Sequence, residues 1–187
     1  MTDDLDVIRV PVIVANCPPG RITEDLYASA GGVRTIANQP NRTFAAQNGI
    51  VKCGGSWQQL GEKCFLAVAG SNRDWKDARS DCQTRAGTDL AVIPDQATTT
   101  FLQSMLAGVT SQYWVGLHDL PNENDFRWVD GQSLIDTNYT NWAPNQPNNG
   151  WLFSEDCVTF KPSNGKWNDA ACDFGTRPYI CERNSCK

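Results

Sequence analysis

Apolar and polar positions alternate in two different periods along this chain, and the change of period divides it. Trp75, Ala78 and Cys82 recur at i, i+3 and i+7, which is one buried face of a helix. Gly87 stands where a C-cap glycine would end it. Asp95 is placed to cap a second helix whose apolar stripe is Phe101, Leu102, Met105 and Leu106. Short strand-like runs come after it at Tyr113–Leu117, Phe126–Val129, Val158–Phe160 and Tyr179–Cys181. Ahead of the helices, the segment from Cys53 to Phe65 reads as a hairpin, with Trp57 packing inward. Two helices before a run of short strands predict an α+β domain. On this pattern Trp57, Trp75, Trp114, Trp128, Trp142 and Trp167 belong to the core, and Trp151 does not, because it lies inside a polar loop.

Residues 1–52 differ in character from the rest of the chain. The run Val7 to Val14 is rich in β-formers, but Pro11 suits an edge strand or an arm better than a central strand. Cys17-Pro18-Pro19-Gly20 ends it with a turn signal. Ala28 to Gln47 has little periodicity and reads as an extended linker. The expected organisation is an arm or linker over 1–52, partly β, and one domain over 53–187.

The densest chemistry lies between Trp142 and Asp169. Gln146 and Asn148 flank Pro147, Glu155 and Asp156 come next, and Asn168-Asp169 stand after a turn. Amide and carboxylate oxygens are hard donors, the set that calcium takes in six- to eight-fold coordination. Thiolates and imidazoles, which zinc or copper prefer, are not interleaved there in a free state. Asn and Pro also favour turns, so a plain polar surface loop is the alternative. Cysteine placement argues against it. A bridge from Cys157, beside Glu155-Asp156, to Cys172, just past Asn168-Asp169, would clamp both ribs of the loop. Closing a loop of that size stabilises by about 3 kcal/mol in the chain-entropy model.

Composition narrows the partners. At 187 residues the chain suits one domain with an appendage. Its net charge of −5 leaves no basic footprint for nucleic acid and little attraction to an anionic membrane surface. No apolar run approaches the roughly 20 residues of a membrane helix. The acidic start Thr2-Asp3-Asp4 does not read as a signal peptide, so a form without one is expected. Eight cysteines without a CxxC pair suggest disulfides, in any of 105 connectivities. The sequons at Asn41 and Asn138 agree with a secreted, glycosylated protein. His118 is the only histidine, and no nucleophile with an orienting partner stands beside it, so an enzyme is not expected.

Several of these residues carry a family resemblance. Trp167-Asn168-Asp169, Gln146-Pro147-Asn148 and Glu155-Asp156-Cys157 resemble the calcium and sugar site of C-type lectin domains, and Tyr113-Trp114-Val115-Gly116-Leu117 resembles the family's core strand. The likeness runs from about Cys53 to Glu182. It implies a C-type lectin-like fold with two helices, short antiparallel sheets and a long calcium-binding loop, preceded by an N-terminal extension. It also implies the bridges Cys53–Cys64, Cys82–Cys181 and Cys157–Cys172. Cys17 and Cys186 remain, and they pair with each other or link chains into an oligomer through the arm.

The resemblance further implies that Gln146, Asn148, Glu155, Asn168 and Asp169 hold Ca2+, with a cis bond at Gln146–Pro147. Two vicinal hydroxyls of a mannose- or galactose-type hexose would then be bound through Gln146, Asn148, Glu155 and Asn168. An auxiliary metal site is implied at Asp119, Glu123, Asn149, Glu155 and Asp156, with an acidic solvated loop as the alternative. Trp151 is expected as a platform for the apolar face of the sugar. In the family EPN goes with mannose-type and QPD with galactose-type sugars, and QPN here mixes them. A protein of the same fold used for protein contact or assembly is the rival reading.

Overall fold

The computed structural model describes residues 53–150 and 154–185. The expectations for the arm 1–52, Cys17, Asn41, Trp151 and Cys186 lie outside the described residues. Strands are β1 (Gln58–Leu60), β2 (Lys63–Arg73), β3 (Thr88–Leu90), β4 (Tyr113–His118), β5 (Arg127–Trp128), β6 (Cys157–Lys161), β7 (Lys166–Ala170) and β8 (Arg177–Asn184). Helices are α1 (Trp75–Gln83) and α2 (Gln96–Met105).

The helices obey the apolar pattern. Asp74 caps α1 by accepting the Asp77 N–H at 2.8 Å, and Trp75, Ala78 and Cys82 form its buried face. Asp95 caps α2 through the Thr98 N–H at 2.7 Å. The end of α1 departs from expectation: the helix stops at Gln83, not near Gly87. Thr84 closes it, its N–H reaching the carbonyls of Ser80 and Asp81 while its hydroxyl donates to Asp81. Gly87, at φ +66°, instead makes the turn into β3.

The strands form one connected sheet in the order β1-β2-β8-β4-β6-β7, with β3 paired to β8 and β5 to β4. Its short antiparallel pairs are joined in the middle by a parallel contact between β4 and β8, at Trp114 and Tyr179. Gly116 in β4 lies under two other chain segments. A Cβ there would stand 2.7 Å from Val129 Cγ2 and 3.0 Å from the Leu90 carbonyl oxygen, so only glycine fits without displacement.

Two apolar clusters flank the sheet. One gathers Leu102 and Leu106 of the α2 segment with Val115, Leu117, Val158, Phe160 and Trp167. The other gathers Trp75, Ala78 and Cys82 of α1 with Trp114, Tyr179 and Cys181. Trp75, Trp114, Trp128 and Trp167 are buried, whereas Trp57 and Trp142 are half-buried at the edges of the clusters. Arg183 covers the Trp57 ring, its guanidinium carbon 4.7 Å from the ring centroid. Among the described residues the bridges are Cys53–Cys64, Cys82–Cys181 and Cys157–Cys172.

Candidate functional site

Trp167 organises the site from below. It is fully buried, and the rings of Trp128, Tyr139 and Trp142 meet it edge-on at centroid distances of 5.6, 5.6 and 5.7 Å. Its backbone also carries the start of the long loop, donating to the Asn141 carbonyl at 2.9 Å and accepting from the Ala143 N–H at 2.8 Å. Side chains two apart on a strand share a face. Asp169 therefore points to the same side as Trp167, and it is buried.

From there Asp169 ties down the tip of the loop. Its Oδ2 accepts the N–H groups of Asn148 and Asn149, both at 2.7 Å. The Gln146–Pro147 bond between loop and tie is cis, and Asn149 takes a positive φ of 52°. Asn149 Oδ1 in turn accepts the Glu155 N–H at 2.9 Å, and Asn148 Oδ1 accepts the Gly150 N–H at 2.9 Å. On the opposite wall, Asp119 leaves the end of β4. Its N–H donates to the Asp156 carbonyl at 3.0 Å, and its Oδ2 accepts the Asn124 N–H at 2.8 Å.

Between these walls lies a cleft of about 200 Å3 lined by Asp119, Glu123, Asn148, Asn149, Glu155 and Asp169, with Asn124, Phe126 and Pro147. That is below the roughly 300 Å3 at which pockets begin to engulf a small molecule. It suits an ion and its shell. Gln146, Asn168 and Asp156 stand beside the cleft without lining it. The Asn168 amide is turned to the Asp169 carbonyl, and Asp156 accepts from the Ser154 hydroxyl.

Three buried oxygens in and beside this cleft have no hydrogen-bond partner: Asp119 Oδ1, Asp169 Oδ1 and Gln146 Oε1. Leaving such an acceptor buried and unmet costs about 1–3 kcal/mol, more for a charged group. All three are hard oxygen donors. The carboxylates also crowd one another. Burial pushes the Glu155 carboxyl above its usual range and the Asp169 charge adds to the rise, while the Gly150 amide and Arg177 oppose it. Burial likewise raises Asp119, with Glu123 and Asp156 adding and the Asn124 amide opposing. Uncompensated acceptors and mutually repelling carboxylates are the conditions a hard divalent cation relieves, so the residues present fit calcium.

Sequence reasoning missed two contributors. Asn124 ties Asp119 from a positive φ of 64°, and the signal was its place directly after Glu123. Arg177, stacked with its guanidinium carbon 4.6 Å from the Trp114 ring centroid, brings positive charge near Glu155; nothing in its spacing marks that role. His118 packs edge-on against Trp75 at 5.1 Å, and burial holds its pKa below the usual value, with the Arg79 charge adding and Asp89 opposing. Asn138 is exposed at φ 51°, at the end of a 3-10 turn over Ile135–Thr137. Among the described residues no helix is long and apolar enough to cross a membrane.

Known proteins resemble this chain over most of its described residues. The family model described as the lectin C-type domain matches residues 71–183. C-type mannose receptor 2 of Mus musculus is 35% identical over 145 residues, which is 78% of this chain and only 9% of the receptor's length. A perlucin-like protein of Mytilus galloprovincialis is 34% identical over 135 residues, covering 70% of this chain and 83% of that protein. Among solved structures, the cow C-type carbohydrate-recognition domain of CD23, crystallised in the presence of a GlcNAc2Man3 oligosaccharide, is 32% identical with a TM-score of 0.62, over 71% of this chain and 95% of that one. The chain belongs to the C-type lectin domain family.

Proposed function

We propose that the domain is a secreted, calcium-dependent carbohydrate-binding module, and that the cleft between Asp119 and Asp169 is its metal site. Gln146, Asn148, Glu155, Asn168 and Asp169 form the principal ligand set in this reading, with Asn148, Glu155 and Asp169 lining the cleft and Gln146 and Asn168 beside it. Asp119, Glu123, Asn149 and Asp156, with Glu155 shared, form the auxiliary one. A calcium ion held there supplies a hard Lewis centre on which two neighbouring sugar oxygens can coordinate while the flanking amides and carboxylates hydrogen-bond to them.

The observation that carries the reading is the set of unpartnered buried oxygens, Gln146 Oε1, Asp169 Oδ1 and Asp119 Oδ1. Their unmet bonds make sense as metal ligands and not as fold-stabilising contacts. With Glu155 and Asp169 as the only charged members of the principal set, its formal charge is −2, which predicts modest calcium affinity. The three disulfides support an oxidising, extracellular setting, and exposed Asn138 is available for a glycan. Binding to a panel of immobilised glycans with calcium and with EDTA tests the proposal. Calcium-dependent retention on at least one glycan is expected, and retention on none, or equal retention under chelator, contradicts it.

A further inference from the structure

The rim of the cleft has an unusual hydrogen-bonding character. Gln146 buries its Oε1, and Asn148 commits its Oδ1 to the Gly150 N–H. Neither amide nitrogen, Gln146 Nε2 nor Asn148 Nδ2, takes part in a hydrogen bond among the described residues, and Asn148 is exposed and Gln146 only half-buried. Both are therefore NH2 donors open to solvent. The proline between them has no N–H and brings only its backbone carbonyl. The two side chains offer a ligand oxygen at this corner a pair of amide donors and no carboxylate.

That matters for a sugar hydroxyl. Such a group can accept from the two amides, but its own proton then finds no acceptor and is left unmet as the contact dries. A carboxylate or sulfate oxygen has no proton to place, and its bonds to two N–H donors are charge-assisted and shorter. At the opposite corner Glu155 is an acceptor and suits an ordinary hydroxyl. The corner itself is uncharged, Gln146 and Asn148 being neutral, and one calcium in each of the two proposed ligand sets reduces the −5 of Asp119, Glu123, Glu155, Asp156 and Asp169 to −1. The chain's overall charge of −5 gives no general attraction for polyanions, so any retention of them must come from a local site.

We propose that this cleft prefers acidic sugars, those with a carboxylate or sulfate-ester oxygen next to a free hydroxyl, over neutral vicinal diols. The inference rests on the calcium-dependent sugar reading and names the substrate class for it. The test measures affinities in calcium for immobilised galactose, mannose, galacturonic acid and galactose 3-sulfate, with EDTA controls. At least one of the two acidic sugars is expected to bind about tenfold tighter than either neutral one, equivalent to about 1.4 kcal/mol; which of them does so identifies the anionic group.

Gln146→Glu and Asn148→Asp each restore an acceptor and place a negative charge on that corner, so each is expected to reverse the preference. The calcium-induced rise in melting temperature checks that each variant still holds the metal. Equal or tighter binding of a neutral sugar by the wild type overturns the acidic-sugar inference while leaving the lectin reading intact. So does an unchanged ratio in both metal-binding variants, or acidic-sugar binding that persists in EDTA. Binding to none of the four sugars, with the calcium-induced rise present, overturns the acidic-sugar inference, and the lectin reading is overturned only if the whole glycan panel is also unretained.

Discussion

Asp169→Asn exchanges one oxygen of the cleft for an NH2 group and leaves the side-chain shape nearly unchanged. In the wild type, Oδ2 holds the Asn148 and Asn149 N–H groups and Oδ1 is buried without a partner. The asparagine oxygen can keep both loop amides, which places its nitrogen where Oδ1 pointed. Two hydrogen bonds to a charged acceptor become two to a neutral one, a loss of about 1 kcal/mol each. Removing an uncompensated buried carboxylate offsets part of that cost. Under EDTA the variant is therefore expected to melt within a few degrees of the wild type.

Calcium separates the two proteins. At one hundred times its dissociation constant a ligand that binds only the folded state adds about 2.7 kcal/mol. For a domain of this size that corresponds to a rise of roughly 10 °C. The wild type should show this rise, and Asp169→Asn should show almost none, because a donor now faces the ion. Calorimetric melting of both proteins in EDTA and in millimolar calcium decides the matter. A variant that keeps the full calcium-induced rise would refute the assignment of Oδ1 as a ligand.

Other substitutions probe the supports of the site. Trp167→Ala removes the ring on which Trp128, Tyr139 and Trp142 converge, and a cost of about 3–5 kcal/mol in a denaturant titration is expected. Gly116→Ala inserts a methyl against Val129 and the Leu90 carbonyl, and a loss of about 1–3 kcal/mol is expected by the same assay. Asp81 is held below its usual carboxylate range first by its bond to Arg85 and then by Tyr179, whose hydroxyl donates to Oδ2 at 2.7 Å. A depressed folded-state pKa contributes stability above the ordinary value near 3.8, lost as pH falls through the lower, folded one. Asp81→Asn should therefore be less stable at neutral pH, and the gap to the wild type should close below about pH 4, in melts across a pH series.

The helices were legible because their signals are local. Asp74 and Asp95 act through side-chain bonds to N–H groups three residues ahead, and the apolar spacing states which face is buried. The strands were harder. Lys166–Ala170 reads as a polar site motif, yet it is a strand whose alternate residues, Trp167 and Asp169, serve the core and the cleft. Lys63–Arg73 is eleven residues long and only its first part is buried, so no alternation announces its length. Thr88–Leu90 forms by pairing with β8, a partner some 90 residues away in sequence that local pattern cannot supply. The oxygen-rich residues of the loop were visible as a set. Their division of labour was not, because it depends on which lone pairs the backbone takes: Asn148 Oδ1, Asn149 Oδ1 and Asp169 Oδ2 are claimed by neighbouring N–H groups, and Gln146 Oε1 and Asp169 Oδ1 are left unmet.

The central claim joins calcium to sugar at one cleft, so the most direct measurement tracks both in one titration. Sugar binding to the best glycan of the panel is recorded by surface plasmon resonance as calcium is raised from chelated to millimolar levels. The calcium-induced rise in melting temperature is recorded over the same range, and both are repeated with Asp169→Asn. If the cleft holds the ion that holds the sugar, the wild-type isotherm rises from zero in step with the thermal shift, and the variant gives neither. Sugar binding that is already complete in EDTA, or that survives in Asp169→Asn, would contradict the account.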